Sequence, residues 1–288
     1  MNLQKECVDC IYNQSKRVSS FLHVNKNQAQ AIDEITKKHI QNFNFNLTPP
    51  HNAFALYEEI AKYLNTDDIY AKMKKEASEK ASEFIFTCKK AIENSEDKFK
   101  AAIQCAIVGN VLDLAAEVMF DLDTEVAKVF EMPFAIDDLE ALRSKLENTK
   151  TLVYLADNAG EEIFDKICIE TIQKLYPKIK VFYFVRGKPI INDLTIEEAK
   201  ASGLDSITTL VNSGVPTPGY TLDLANETSK ELFLKADCII SKGMGNYECL
   251  GTQSGFGFPV FFLFKVKCAV VAREIGAKIA DIVCKKLN

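Results

Sequence analysis

From residue 52 to 95, apolar side chains return every three or four positions: Phe54, Leu56, Tyr57, Ile60 and Tyr63, then Ile69, Met73, Ala77, Phe84 and Ile85. A period near 3.6 predicts amphipathic helices with charged residues on the outer face. Pro49-Pro50 breaks the chain just before this stretch. Segment 98–120, KFKAAIQCAIVGNVLDLAAEVMF, is apolar on nearly every side and predicts a buried helix. Within it Asn110 and Asp113 stand three apart and share a face. Each polar group buried without a partner costs about 1–3 kcal/mol. The pair therefore satisfies itself and the backbone, or lines a polar cavity.

The texture changes after residue 150. Short β-rich runs appear at 151–156, 179–185, 206–211, 236–240 and 258–264, with helical stretches between several of them, notably 161–176 and 222–235. The last stretch, 268–287, also reads as a helix. Continuous apolar strands separated by helices predict a mostly parallel sheet covered on both faces. The expected architecture is a three-layer α/β domain over 148–288 carrying a helical N-terminal domain over 1–147.

Composition narrows the function classes. The chain has 288 residues, 47% of them hydrophobic, and a net charge of −5. A nucleic-acid binder would usually be basic, so no nucleic-acid partner is expected. No apolar run reaches the length of a membrane span, so no membrane partner is expected either. Nine irregularly spaced cysteines, without an export signal, read as reduced thiols of a cytoplasmic protein. All three histidines, His23, His39 and His51, precede residue 52. Chemistry in the α/β half must then use carboxylates, amides, lysine, arginine or a metal-bound water, unless a histidine reaches in from the N-terminal part.

Ligands in open α/β sheets bind beyond the carboxyl ends of the strands. Those positions hold Asp157 and Asn158 with Glu161 and Glu162, then Arg186, Lys188, Asn192 and Asp193, then Asn212 and Ser213. Lys242, Asn246 and Glu248 follow the fourth run, and Lys265 and Lys267 the fifth. Asp157, Asn158 and Asp193 offer hard oxygen ligands, which suit Mg²⁺ or Mn²⁺ better than Zn²⁺. Lysines and glycine-rich turns nearby suit phosphate oxygens. Plainer roles compete: Asp157-Asn158 could cap the following helix, and Asn192-Asp193 could cap the one over LTIEEA. Cys7 and Cys10 form a single CxxC; with no second CxxC to complete a zinc site, a metal or redox role is the lesser reading beside two plain thiols.

GNVLD (109–113), DNAGE (157–161), KPIIND (188–193), KGMGNYE (242–248) and KVKC (265–268) occur in this order. With CVDC at 7–10, this set resembles the damage-control phosphatase family, formerly a domain of unknown function, in its prokaryotic CxxC-containing subgroup. The resemblance spans nearly the whole chain. It implies a helical domain on an α/β domain and a metal held by Asp157, Asn158 and Asp193, with Lys242 contacting phosphate. It also turns Asn110 and Asp113 toward the pocket. The Arg-Thr-x-Lys substrate motif of the eukaryotic branch is missing, so that branch's substrates do not transfer.

The expected function is a metal-dependent phosphomonoester hydrolase acting on a small phosphorylated metabolite, such as a sugar phosphate, a nucleotide or a damaged cofactor precursor. Mg²⁺ or Mn²⁺ leads, with Co²⁺ or Ni²⁺ also compatible. Asp157, Glu161 and Lys242 are the expected catalytic residues, Glu161 orienting water or moving a proton. Asn110, Asp113, Asn192, Asn246, Glu248 and Lys265 are expected against the substrate. Two competing readings are an S-adenosylmethionine-dependent methyltransferase and a non-catalytic phosphometabolite-binding protein.

Overall fold

The computed structural model of the chain describes residues 1–111 and 122–287. Asp113 and the last part of the helix expected over 98–120 lie outside the described residues. Six helices come first: α1 (Lys5–Phe21), α2 (Lys26–Ile40), α3 (Pro49–Tyr63), α4 (Ala71–Ser82), α5 (Ile85–Asn94) and α6 (Lys98–Val111). Helix α7 (Leu122–Glu131), strand β1 (Phe134–Asp137) and helix α8 (Leu139–Leu146) follow. The alternating part then runs β2 (Thr151–Leu155), α9 (Glu161–Leu175), β3 (Lys180–Val185), α10 (Ile196–Ala201) and β4 (Thr209–Asn212). It continues through α11 (Glu227–Leu234), β5 (Cys238–Lys242), α12 (Gly243–Leu250), β6 (Val260–Lys265), α13 (Ala269–Ile275) and β7 (Ile282–Lys286). Among the described residues, no helix is long and apolar enough to cross a membrane.

The strands form one sheet in the order β1-β7-β6-β5-β2-β3-β4. Every neighbouring pair is parallel except β6 with β7. Side chains of β2 alternate between two cores: Leu152 and Tyr154 belong to one, Val153 and Leu155 to the other. The first core packs under α5, α6, α8 and α9, and the second under α1, α3, α12 and α13. The result is a three-layer α/β fold whose N-terminal helices clasp both faces of the sheet.

Some local expectations differ from the structure. Residues 268–287 are not one helix: α13 ends at Gly276, which sits in the left-handed region at φ 73°, and β7 then runs antiparallel to β6. A glycine there closes the helix without a Cβ penalty, and Ile282 and Val283 are buried in the sheet. Residues 134–137, N-terminal to the expected division at 147, form β1 and pair with β7. The strand expected at 206–211 begins later, at Thr209, because Leu204–Ser206 makes a 3₁₀ turn.

The chain leaves β2 toward β3 and β4 on one side and returns to β5 on the other. Such a reversal opens a crevice at the carboxyl ends of the central strands. Asp157 follows β2 and Gly243 follows β5, so both lie at that crevice.

Candidate active site

The buried run of β2 ends in Asp157-Asn158 because this turn belongs to a second, smaller pairing. Asn158 and Asp193 form an isolated antiparallel bridge. Leu194 N donates to Asp157 O at 2.9 Å and Ala159 N to Asn192 O at 2.9 Å. Capping is thereby corrected at both places. Helix α9 has Gly160 at its N-cap, at φ 93° with no side-chain cap. Helix α10 is capped by Thr195 in a capping box with Glu198. Backbone pairing thus brings together 157–158 and 193, which lie on separate turns. Ile191, just ahead, holds φ 46°. A β-branched residue there carries strain of about 1–3 kcal/mol, retained where the surroundings over-determine the loop.

The hydrogen bonds decide which way each oxygen points. Asn158 Nδ2 donates to Asp157 Oδ2 at 2.9 Å and to Glu161 Oε1 at 2.9 Å. Asn110 Nδ2 donates to the same two oxygens, at 3.2 and 2.5 Å. Arg186 Nε donates to Asp193 Oδ2 at 2.6 Å. One oxygen of each expected ligand, the Oδ1 of Asp157, Asn158 and Asp193, accepts no hydrogen bond among the described residues. Uncommitted hard oxygens on three converging residues are the donor set a divalent cation needs. Among the described residues, no group of three or more His, Cys, Asp and Glu is gathered as a metal site. The set here is two carboxylates and an amide.

The charge balance points the same way. Four buried carboxylates, Asp157, Glu161, Asp165 and Asp193, face two buried cations, Arg186 and Lys242. Burial, then the charges of Glu161 and Asp193, push the Asp157 carboxyl up to about 8. Burial also raises Asp193, against the pull of Arg186.

Lys242, expected at the phosphate, is fully buried. Its amine lies 3.1 Å from Glu161 Oε2 and 2.8 Å from Asp165 Oδ1. Burial disfavours its charge, but Asp165 and Glu161 outweigh that and raise its pKa. Asp165, one turn after Glu161, also accepts from the Tyr154 and Tyr183 hydroxyls at 2.6 and 2.8 Å. Glu161 therefore has both oxygens engaged and anchors the two amides. Asn246 is fully buried as well. Its side chain ties Tyr220 N, Ala156 O and Lys242 O together at 2.7, 3.0 and 2.7 Å. Lys265 contributes its backbone N–H to Asn110 Oδ1 at 3.3 Å.

A cavity of about 600 Å³ opens over the cluster, lined by Asn110, Asp157, Asn158, Asn192, Asp193 and Glu248 among others. Lys267 and Arg17 supply its cationic wall, and neither was singled out as a site residue from the sequence. Lys267 held a signal, as the second lysine past a strand end; Arg17, on α1, held none. Arg186 and Asp165 were likewise missed. An acid four residues after Glu161 on a helix was the available sign for Asp165. Cys7, Cys10 and Cys268 line one side of the cavity. Burial pushes the Cys7 thiol up to about 11, and partial desolvation with the charge of Glu248 raises the more exposed Cys10, so both are protonated thiols near neutral pH.

Fold and site together define an α/β protein with an oxygen-rich, anionic cluster at the switch point of its sheet. The chain belongs to the family described as the damage-control phosphatase ARMT1-like domain, which it matches over residues 3–283. It is 31% identical to a damage-control phosphatase of Pyrococcus horikoshii over 288 residues, covering 99% of this chain and 98% of that protein. It is 33% identical to a damage-control phosphatase of Archaeoglobus fulgidus over 262 residues, 89% of each. The crystal structure of a DUF89 family protein from Pyrococcus horikoshii is similar with a TM-score of 0.91 at 30% identity, covering 100% of both chains.

Proposed function

We propose that this chain is a metal-dependent phosphatase that hydrolyses phosphomonoesters of small metabolites. Membership of a phosphatase family supports the reaction class. The observation that carries the metal dependence is the set of three uncommitted Oδ1 atoms in a cluster with more buried carboxylates than cations. Asp157, Asn158 and Asp193 would hold the ion, with Mg²⁺ or Mn²⁺ first and Co²⁺ or Ni²⁺ also fitting the oxygen set. A divalent cation supplies Lewis-acid charge there when bound.

The chain's own residues have separable tasks. Glu161 holds the Asn110 and Asn158 amides so that Asn158 Oδ1 turns away from it. Lys242, itself held by Asp165, pairs with the other oxygen of Glu161. Lys267, which acts on Asp157 across the cavity, balances charge on the phosphoryl group. Glu248 lines the cavity with a carboxyl that burial lifts to about 7. It is suited to hold or give up a proton near neutrality, the task first expected of Glu161.

The test is release of inorganic phosphate from a panel of sugar phosphates, nucleotides and phosphorylated cofactor precursors. Each is assayed with chelator and with added Mg²⁺, Mn²⁺, Co²⁺ or Ni²⁺. Release that needs the cation and is abolished by Asp157→Ala supports the reading. Undiminished metal-dependent release by Asp157→Ala would overturn the ligand assignment.

A further inference from the structure

Helix α1 roofs the cavity with one face: Glu6, Cys7, Cys10, Ile11, Gln14 and Arg17 all line it. At about 1.5 Å per residue, Cys10 and Arg17 are separated by roughly 10 Å along the helix. The cavity, at about 600 Å³, is within the range of roughly 300–1,000 Å³ that encloses a whole small-molecule ligand. A phosphate alone would leave most of it unfilled, so the leaving group lies under α1.

The charges along that roof are uneven. Of the four arginines in the chain, three are paired: Arg143 with Asp97 and Glu140, Arg186 with Asp193, and Arg273 with Glu6. Arg17 has no carboxylate or other hydrogen-bond partner among the described residues, and neither does the Gln14 amide beside it. Pairing with Arg273 also offsets the roof's acid, Glu6. Two cations, Lys267 and Arg17, line the cavity. Lys267 acts on Asp157 at the oxygen cluster, whereas Arg17 acts on Cys10, Tyr57 and Tyr70. A guanidinium fork matches carboxylate and phosphate oxygens in pairs.

We infer that Arg17 and Gln14 form a second anion subsite in this cavity, and that the substrate is a phosphomonoester whose leaving group carries a further anionic group, a carboxylate or a second phosphate. This names the substrate class of the proposed phosphatase and rests on that reading for turnover, but not for binding.

Matched pairs of probes test it. Glucose 6-phosphate against 6-phosphogluconate isolates a carboxylate, and fructose 6-phosphate against fructose 1,6-bisphosphate isolates a second phosphate. For the parent protein, kcat/KM is expected to favour the doubly anionic member of at least one pair by about tenfold or more, the size of one charge-assisted contact. Arg17→Gln should bring that ratio close to one, and Arg17→Lys should keep part of it. The same ratios are measured as Kd by calorimetry with chelator present, where no turnover is needed. Equal preference in both pairs, or a ratio that Arg17→Gln leaves intact, overturns the subsite. Binding preference that depends on Arg17, with no phosphate released under any metal, upholds the subsite and overturns the phosphatase reading.

Discussion

Replacing Lys242 by methionine separates two roles for this lysine. Its ammonium is fully buried between Glu161 Oε2, at 3.1 Å, and Asp165 Oδ1, at 2.8 Å. Methionine fills a similar volume but leaves two buried carboxylates facing each other without a counter-charge. Breaking a buried ion pair from one side costs about 3–5 kcal/mol, a large part of the roughly 5–15 kcal/mol that holds a typical domain folded. At about 2–4 °C per kcal/mol for a chain approaching this size, thermal unfolding should move down by roughly 6–20 °C. Urea unfolding at pH 7 measures the loss directly. Asp165 without Lys242 would have its folded-state pKa further above the unfolded value, near 3.9. The deficit is then full above the folded pKa and shrinks as the pH is lowered toward the unfolded one. Adding Asp165→Asn should recover part of the loss, because the two sites share one interaction. A variant within about 1 kcal/mol of the parent, yet unable to release phosphate, would place the amine on the substrate and refute the buried-clamp reasoning.

Two further outcomes follow from the same cluster. A Cβ added at Gly243 would sit 2.0 Å from Asp157 Oδ2, at a backbone φ of +77°. Gly243→Ala should therefore cost about 1–2 kcal/mol for the left-handed backbone alone, and displacement of Asp157 should lower divalent-cation affinity by at least about tenfold, as loss of a metal-orienting contact does; calorimetry with Mn²⁺ checks this. In the metal-free protein Asp157 titrates at about 8, above its unfolded value near 3.9. Its contribution to stability is full below the unfolded value and is lost as pH rises through 8. A cation must displace that proton, so binding at pH 6.5 should release about one proton, read from calorimetry in two buffers of different ionisation heat. Proton-neutral binding would contradict the assignment of Asp157 as a ligand.

The parallel core was legible because β2, β3, β5 and β6 are buried on both sides and read as unbroken apolar runs. The closeness of Asn158 and Asp193 was only half legible: both stood past predicted strands, where a helix cap read at least as well. What sequence patterns hid was long-range. Strand β7 borrows its partner from β6, and β1 from β7, so their short runs resembled pieces of helix. The family resemblance placed Lys242 at the phosphate, and a lysine in a glycine turn looks solvent-facing from sequence alone. Only the three-dimensional placement of Asp165 and Glu161 behind it gives that amine an inward destination. Arg17 was hidden for the converse reason: one cation on an amphipathic helix is ordinary until the sheet's crevice is beneath it.

The antiparallel bridge between Asn158 and Asp193 means that main-chain geometry, not side-chain reach, sets the spacing between these two residues. The ceiling, by contrast, comes from a helix more than a hundred positions earlier in the chain. Sequence change along α1 can thus alter the cavity's lining while the main chain keeps the spacing of the oxygen cluster.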